Sequence, residues 1–415
     1  MAAAGTEEPD MFFNESSSYF FNESSSYDEV FANVSTAYNE NGTSSSGAID
    51  YPFDIPECPA GSILRNFYHF REKTISTFFY TQAQKFLISV VIPVIFVVGL
   101  LTNSAFLVTI ARVKAMKTIT NFYLANLACA DLTFIIITGL GYTYANTKSP
   151  NIRLGTPWKT AFGCAASSAS TYITYFASIC LVSLVGMERF MAICYPLRHR
   201  MINRKPRTVK MVLITWLIAV VLGVIVSFTW GKLRAYCIVW PDKYVGVIPT
   251  VIRICTSVRP EFKDVASVLQ FLPFIIALVA NTVVYALIIR RLSHREINGG
   301  GMGHTVNNSQ IEVRNAVARM LVVNGITFFL CLAPYQFFNL HSFVTIKSAG
   351  NLRLLTEDQQ TILLWVGRCS SALNSAINPL VYSATNARYR QAFKDTFYVS
   401  RKQTKSAKTA ITEQQ

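Results

Sequence analysis

The stretch FLISVVIPVIFVVGLLTNSAFLVTIA, residues 86–111, decides the fold, because none of its side chains is charged. A helix needs about 20 consecutive apolar residues to cross a hydrocarbon core of about 30 Å. Lipid offers the backbone no hydrogen-bond partner, so a stretch that crosses it must be helical. Six more stretches join 84–111 as predicted spans: 119–146, 161–193, 211–231, 263–290, 315–345 and 359–383. The sequence thus predicts an all-α membrane protein, with a seven-transmembrane helix bundle over residues 84–383.

The composition agrees with a chain that has lipid as a second solvent. Charged residues make up 15% of the chain, below the roughly 25% of soluble domains, and the mean hydropathy is +0.33. A soluble multidomain enzyme and a disordered chain are therefore excluded. The sequence contains neither the GxSxG nor the HExxH motif of hydrolases. A transporter or channel stays open as an alternative, although inverted repeats with paired broken helices are not found.

Basic residues predict the orientation of the chain. Lys and Arg are concentrated in the links after 84–111 and 161–193 and in the segment after residue 383, and such segments stay in the cytoplasm. Seven spans then place the N-terminus outside. We predict a multi-pass plasma-membrane protein in contact with membrane lipids. The net charge of +15 does not indicate nucleic-acid binding, because the basic residues lie between apolar spans.

Residues 1–83 are predicted to be an extracellular tail. Its first 57 residues are acidic, rich in Ser and free of Lys and Arg, a composition that favours disorder. Asn-x-Ser/Thr sequons predict glycosylation at Asn14, Asn22, Asn33 and Asn41.

Asp131 is an ionisable side chain inside the second span, where a charge is expensive and marks function by default. Neutral polar side chains at mid-depth in other spans can converge on it: Asn103, Ser178, Asn374, Ser375 and Asn378. A carboxylate with neutral oxygens suits a small hard cation such as Na⁺. We therefore predict a cation and water site, and no other cofactor. Hydrogen bonding between helices is the alternative.

Two features predict a bundle that changes shape. Pro273, Pro334 and Pro379 each remove a backbone hydrogen bond inside a span and bend the helix. At the end of the third span, Arg189 follows Glu188. This arginine can pair with its neighbour at rest and contact another group when the helices move.

Four cysteines lie on the predicted oxidising side: Cys58, Cys164, Cys237 and Cys255. Disulfides persist in that environment. Four cysteines allow three pairings, and the sequence alone does not choose between them.

Over residues 84–398 the chain resembles the rhodopsin-like G-protein-coupled receptors. The motifs appear in that family's order: GLLTN at 99–103, LACAD at 127–131, Trp158 before Cys164, GMERF at 186–190, AICYPL at 192–197, Trp216, FLP at 271–273, FxxCxxP at 328–334 and NPLVY at 378–382. Each motif alone is weak, whereas the ordered set is specific.

The resemblance implies a ligand-gated switch without enzymatic activity, whose partners are a heterotrimeric G protein, arrestin and a receptor kinase. It assigns a sodium pocket to Asp131, Ser178, Asn374, Ser375 and Asn378. It assigns the activation switch to Glu188, Arg189, Phe328, Pro334, Pro379 and Tyr382. It also implies a disulfide from Cys164 to the loop after the fourth span. Residues 384–398 would form an amphipathic helix on the membrane, and 399–415 a cytoplasmic tail.

The chain also departs from the family pattern. Leu332 replaces a common Trp, Asn281 replaces a Tyr that is matched by Tyr285 one turn later, and Arg314 replaces an acid that pairs with Arg189 in some members. PTVIR at 249–253 and the stretches 271–281 and 319–339 resemble invertebrate neuropeptide receptors of the FMRFamide-type group. That resemblance favours Cys237 as the partner of Cys164, with Cys255 as the alternative.

The outer halves of the spans predict the ligand class. The third span has Thr171 and Tyr172 where amine receptors carry an aspartate, and the seventh span contains no Lys for retinal. The long link between spans four and five predicts a hairpin lid, which favours a peptide ligand. Arg368 can grip a peptide carboxylate. We predict the other pocket residues to be Tyr142, Thr171, Tyr172, Tyr175, Tyr335, Gln336, Asn339 and Trp365. A lipid or a small organic acid is the alternative ligand.

Overall fold

The computed structural model describes residues 63–66, 79–148, 156, 158–202, 204–245, 249–259, 261–298, 305–348, 352 and 354–397. Within them, seven long helices follow one another: α1 (Gln82–Arg112), α2 (Ile119–Lys148), α3 (Ala161–Cys194), α4 (Lys205–Ser227), α5 (Glu261–Asn298), α6 (Thr305–Lys347) and α7 (Glu357–Thr385). A short loop helix, Pro196–Ile202, joins α3 to α4, and α8 (387–397) follows α7. Each predicted span coincides with one long helix, so the helical bundle is confirmed.

Six of these helices, α1 to α6, are long and apolar enough to cross a membrane. The helix α7 does not meet that criterion, because Arg368, Asn374, Ser375 and Asn378 lower its hydropathy. All four side chains are buried. The polar side of α7 therefore faces the inside of the bundle, where α1 and α6 pack against it, and not the lipid.

Side-chain caps explain where several helices begin. Thr81 and Gln84 form a reciprocal capping box at the start of α1, and Thr356 and Gln359 form another at the start of α7. The helix α4 begins at Lys205, six residues before the predicted start of its span at 211. Pro206 stands in its first turn, a position that suits proline because the backbone N–H there has no helical partner.

The centre of the bundle is α3, which packs against α2, α4 and α5. Among the described residues, the largest buried cluster includes Phe106, Leu181, Phe328 and Tyr382. Large apolar side chains on the outsides of α1, α4 and α5 are exposed instead, for example Leu101, Leu213 and Ile276. This distribution suits helices that turn one side to lipid and the other side to a packed core.

A three-stranded sheet covers one end of the bundle, which we call the outer end; the end that carries α8 is the inner end. The strands β2 (Lys232–Val239) and β3 (Val251–Thr256) form an antiparallel hairpin between α4 and α5, which is the predicted lid. The strand β1 (Ile63–Asn66) pairs with β2 in parallel. These four residues belong to the tail 1–83, which we predicted to be disordered. The prediction is wrong for them, because the free edge of β2 offers backbone hydrogen-bonding groups.

The disulfide at the outer end joins Cys164 of α3 to Cys255 of β3, with a Cα–Cα distance of 5.7 Å. The favoured pairing of Cys164 with Cys237 is therefore wrong, and the alternative is correct. In the hairpin, Cys255 pairs with Leu233 at the beginning of β2, close to where the chain leaves α4, whereas Cys237 pairs with Val251 farther out. Cys237 is also disulfide-bonded.

Several predictions lie outside the described residues. These are the four glycosylation sites Asn14, Asn22, Asn33 and Asn41, the cysteine Cys58 and the tail 399–415. The backbone of Tyr142 lies in α2, but its side chain is not among the described ones.

Candidate functional site

A single cavity runs through the outer half of the bundle to its middle. It offers about 80 Å³ to the centres of water molecules, which is room for several waters. Its walls include six residues of the predicted ligand pocket: Thr171, Tyr172, Tyr175, Tyr335, Gln336 and Arg368. They also include Asp131, Ser178, Asn374 and Ser375 of the predicted cation pocket, and Phe328 of the predicted switch. The two predicted pockets are therefore parts of one cavity.

The deep end of the cavity is built around Asp131, whose exposed fraction is 2%. Asn378, which lies outside the cavity wall, donates from Nδ2 to Asp131 Oδ2 at 2.8 Å. The oxygen Oδ1 of Asn374 is buried and accepts no hydrogen bond among the described groups. A carboxylate, two hydroxyl-bearing serines and an unsatisfied amide oxygen beside water-sized space fit a hydrated small cation. The assignment of Na⁺ itself stays a prediction.

Asn103 was predicted to converge on Asp131, but its side-chain amide instead forms hydrogen bonds to backbone carbonyls. Its Nδ2 donates to the backbone carbonyls of Gly99, at 2.9 Å, and of Ser375, at 2.8 Å. Thr102 adds a bond from its hydroxyl to the carbonyl of Ala376 at 3.1 Å. These bonds tie α1 to α7 just where Pro379 interrupts the hydrogen-bonding pattern of α7.

The outer part of the cavity is organised by Gln270 of α5, a residue that the sequence analysis did not single out. Its Nε2 donates to the hydroxyl of Tyr172 at 2.8 Å, and its Oε1 accepts from Asn339 Nδ2 at 3.1 Å. Its backbone carbonyl accepts from the hydroxyl of Tyr175 at 2.7 Å. Gln270 thereby connects α3, α5 and α6 at the level of the predicted ligand pocket. The only signal in the sequence was a polar residue inside an otherwise apolar run.

Arg368 is the second charged residue among the described side chains that line this cavity, opposite in sign to Asp131. Its exposed fraction is 5%, and its guanidinium carbon lies 4.9 Å from the centre of the Trp365 ring. Tyr80, which precedes α1, meets Trp365 edge to face at 6.2 Å between ring centres. Ten residues of α7 separate Arg368 from Asn378, which is about 15 Å along the helix at 1.5 Å per residue. The cavity therefore has a basic side chain, Arg368, toward its outer end and an acidic side chain, Asp131, at its deep end.

At the inner end, Arg189 and Glu188 form the predicted local pair. Arg189 Nε lies 2.6 Å from Glu188 Oε2, and Arg189 Nη2 donates to the hydroxyl of Thr120 on α2. Glu188 Oε1 lies 3.2 Å from His199 Nε2, which belongs to the short loop helix. The pair is thus held from α2 and from the loop helix. Its release during signalling stays a prediction.

Aromatic side chains fill the space between the two ends. Phe328 and Phe329 of α6 are edge to face at 5.3 Å, and Phe329 lies 5.8 Å from Phe274 of α5. Tyr382 lies 5.3 Å from Phe106 and 5.8 Å from Tyr389 of α8. The prolines Pro273, Pro334 and Pro379 are inside α5, α6 and α7 as predicted from the sequence. Leu332, which stands in the place of the common Trp, lines the cavity.

Tyr285 of α5 occupies a notch between two glycines. A Cβ atom added to Gly325 of α6 would lie 2.6 Å from Tyr285 Cε2, and closer still to its hydroxyl oxygen. A Cβ atom added to Gly186 of α3 would lie 3.2 Å from Tyr285 Cε1. The ring can lie between α3 and α6 only because neither glycine has a side chain. Asn281, one turn earlier, donates from Nδ2 to Ser183 Oγ at 2.8 Å.

Comparison with known proteins identifies relatives of this bundle. A family model described as 7 transmembrane receptor (rhodopsin family) matches residues 102–382, more than half of the chain. The chain is similar to the neuromedin U receptor homolog nmur-2 of Caenorhabditis elegans, with 27% identity over 72% of this chain and 76% of the relative.

Two human proteins are also similar to this chain. Neuromedin-U receptor 2 is 27% identical over 76% of this chain and 72% of its own length. The thyrotropin-releasing hormone receptor is 25% identical over 71% of this chain and 74% of its own length. The finer resemblance to receptors of the FMRFamide-type group is not confirmed by these relatives.

Proposed function

Since the chain belongs to the rhodopsin family of seven-transmembrane receptors, we propose that it binds an extracellular neuropeptide and activates heterotrimeric G proteins at the plasma membrane. The chain is a receptor and not an enzyme. The ligand class is supported by relatives that are receptors for neuromedin U and thyrotropin-releasing hormone. The carrying observation is the cavity that continues from Arg368 to Asp131 inside one bundle.

The peptide enters from the outer end, under the hairpin of β2 and β3. Arg368 binds an acidic group or a free carboxylate of the peptide, because a guanidinium matches a carboxylate with two parallel hydrogen bonds. The Trp365 ring beside the Arg368 guanidinium supports this role of Arg368, because the face of an aromatic ring attracts a cation and holds it in position. The hydroxyls and amides linked by Gln270 bind the peptide backbone. With the outer end of the bundle facing the outside of the cell, the N-terminus is extracellular and carries sugars on Asn14, Asn22, Asn33 and Asn41.

The deep end of the cavity binds Na⁺ when the peptide is absent. Asp131 supplies the charge, and Ser178, Asn374, Ser375 and Asn378 supply or position neutral oxygens. Ion and agonist compete because they occupy one continuous cavity. Ligand binding and ion binding are therefore coupled, and each weakens the other to the same degree.

The signal reaches the inner end through the kinked helices. When α6 moves away from α3, Arg189 leaves Glu188 and the inner end opens for the G protein. Pro334 and Pro379 provide bends at which α6 and α7 pivot, and Phe328 and Tyr382 repack. A receptor kinase then phosphorylates the tail 399–415, and arrestin binds the modified receptor.

A receptor for a lipid or a small organic acid is the second candidate, and Arg368 is the observation that favours it. A single buried guanidinium among apolar and neutral polar walls also suits a small carboxylate. The peptide is preferred because the relatives named above are, by their names, receptors for neuromedin U and for thyrotropin-releasing hormone.

Nucleotide exchange tests the proposal directly. The purified chain in lipid nanodiscs is mixed with heterotrimeric G proteins and challenged with neuromedin U, thyrotropin-releasing hormone, a short-peptide library and a set of small carboxylic acids. We expect a peptide to stimulate exchange, and Arg189→Ala to abolish stimulation while peptide binding persists. The matched control is Arg112→Ala, an exposed arginine at the end of α1. Stimulation by small acids alone would contradict the peptide assignment.

A further inference from the structure

The carboxylate of Glu188, at the inner end of α3, has three partners among the described residues. Its Oε2 lies 2.6 Å from Arg189 Nε and 3.5 Å from the hydroxyl of Thr120. Its Oε1 lies 3.2 Å from Nε2 of His199, a residue of the loop helix Pro196–Ile202. The two oxygens therefore serve different elements. One holds Arg189, and the other holds the loop helix.

The contact between His199 and Glu188 depends on the charge of the imidazole ring. An ionised carboxylate only accepts hydrogen bonds, so Nε2 of His199 must donate. A neutral ring can donate from this atom, but a charge-assisted hydrogen bond is roughly twice as strong as a neutral one. The exposed fractions of the His199 and Glu188 side chains are 17% and 11%, so water screens the pair only in part. Protonation of the ring therefore strengthens its bond to Glu188.

The basic groups around the ring oppose its protonation. They are Arg189 of α3, Arg198 and Arg200 of the loop helix, and Arg204, Lys205 and Arg207 where the chain enters α4. All of these except Arg189 are exposed, so water and salt weaken their effect. Tyr123 of α2 lies near Glu188 but is neutral between pH 6 and 8, where histidine changes charge. The carboxylate at hydrogen-bond distance therefore has the stronger influence on the ring.

We propose that His199 is a positioning residue of the inner switch, whose protonated ring holds Glu188 in place as the partner of Arg189. A carboxylate that is held at Oε1 presents Oε2 to Arg189 in a fixed direction, which stabilises the closed arrangement. Histidine changes charge between about pH 5 and 8, so the pH at the inner end sets how firmly the pair is held.

Linkage fixes the direction of the effect. The arrangement that binds the proton more tightly is favoured as the pH falls, so the contribution of the charged bond is present at low pH and is lost as the pH rises. A lower pH at the inner end therefore favours the closed bundle. The effect on nucleotide exchange rests on the proposed function, whereas the pH dependence of the bond does not.

Two replacements separate the charge of His199 from its ability to donate. Gln donates a hydrogen bond and carries no charge, whereas Arg donates and is always charged. The full chain, with and without His199→Gln or His199→Arg, is reconstituted in lipid nanodiscs and measured at about pH 6 and about pH 8, the range in which histidine changes charge. The thermal unfolding midpoint reports the bond without an agonist or a G protein. Basal nucleotide exchange reports the functional effect.

Basal exchange is compared with that of His199→Gln at the same pH, which cancels the pH dependence of the G protein itself. We expect the wild-type chain to exchange about fivefold more slowly than this variant at pH 6, or about 1 kcal/mol at 1.4 kcal/mol per factor of ten, and nearly equally at pH 8. His199→Arg should exchange slowly at both pH values. The unfolding midpoint of the wild-type chain should exceed that of His199→Gln by more at pH 6 than at pH 8.

The matched control is Arg198→Gln, because Arg198 is the exposed neighbour of His199 on the loop helix. This variant should keep the pH dependence of the wild-type chain. Loss of the pH dependence in Arg198→Gln would overturn the proposal, because the general charge of the loop helix would then be responsible. Where His199→Gln does not fold, His199→Arg decides, and a pH dependence retained in His199→Arg would overturn the proposal.

The two measurements also separate this proposal from the proposed function. Equal differences between the wild-type chain and His199→Gln at the two pH values, in the unfolding midpoint or in exchange, would overturn the role of His199. A midpoint difference that grows at low pH, in a chain that stimulates no nucleotide exchange in any sample, would support the bond to Glu188 and contradict the receptor function instead.

Discussion

The notch that holds Tyr285 leads to the sharpest mutational prediction, Gly325→Ala. The added Cβ atom would lie 2.6 Å from Tyr285 Cε2, whereas ordinary contact begins at 3.4 Å. The helices α5 and α6 must therefore separate by at least about 0.8 Å at this point, which is the difference between these two distances, and by more near the hydroxyl. Tyr285 has an exposed fraction of 6% and packs against Ile288 and Val322, so its ring has little room to swing aside.

Overpacking of this kind costs about 1–3 kcal/mol. The strain falls on the closed arrangement, in which α6 lies against Tyr285, and it is relieved when α6 moves outward. Since every 1.4 kcal/mol is a factor of ten, the ratio of open to closed receptor rises by about fivefold or more. We expect basal nucleotide exchange to rise accordingly and the unfolding midpoint to fall.

The control variants isolate the steric effect. Gly141→Ala adds the same methyl group to α2, where nothing lies within 4 Å of it. It should leave basal exchange unchanged and should not lower the unfolding midpoint, because alanine is favoured over glycine inside a helix by about 1 kcal/mol. Tyr285→Ala in the Gly325→Ala background removes the ring and should bring basal exchange back to that of Tyr285→Ala alone. Unchanged basal exchange in a well-expressed Gly325→Ala receptor would refute the reasoning.

Four further predictions concern other parts of the molecule. Arg368→Gln should lower the affinity of a carboxylate-bearing agonist by about 10- to 100-fold in a binding assay, because a hydrogen bond to a charged group contributes about 1.5–3 kcal/mol. An unchanged affinity would contradict the role of Arg368 as the carboxylate ligand. Asp131→Asn should abolish the Na⁺ dependence of agonist affinity, measured against K⁺ at equal ionic strength; a retained Na⁺ effect would exclude this site. Cys164→Ser, Cys255→Ser and the double variant should lower the unfolding midpoint equally, because all three break one bond; additive losses would contradict the pairing. Burial raises the pKa of the Tyr389 hydroxyl to about 12, above its ordinary value near 10. The contribution of the protonated hydroxyl to the stability of the fold is therefore complete below pH 10 and is lost as the pH rises toward 12. A loss of stability between pH 6 and 9 that Tyr389→Phe removes would contradict this prediction.

The helices were predictable from the sequence because lipid imposes one length and one backbone structure on every span. The stretch 86–111 alone predicts α1, whereas α7 can be predicted as a span only if its polar residues are assumed to face the interior of the protein. The position of β1 was not predictable. Its pairing depends on the edge of β2, which lies far along the chain and becomes available only in the folded protein.

The residues of the outer cavity were largely predictable, because polar groups inside a span are costly unless they face the interior. Asp131, Ser178, Tyr172 and Arg368 all line the cavity as that reasoning requires. Gln270 was missed, because a single amide near the end of a span is also compatible with an interfacial position.

The disulfide could not be chosen from spacing. Cys237 and Cys255 lie on paired strands, and only the register of the hairpin decides which of them is close to Cys164. Tyr285 shows the same limit for packing. Its position depends on two glycines, in α3 and in α6, whose contacts with one ring are a property of the assembled bundle.

The central claim is that a ligand in the outer cavity moves α6 at the inner end. Spin labels on Glu312→Cys of α6 and Val209→Cys of α4, both exposed, report this motion in a chain whose free cysteines are replaced. Distances are measured by pulsed electron resonance in nanodiscs, with and without the activating peptide. We expect the peptide to lengthen the distance, and Arg368→Gln to require more peptide for the same change. An unchanged distance under conditions in which the peptide stimulates nucleotide exchange would contradict the account.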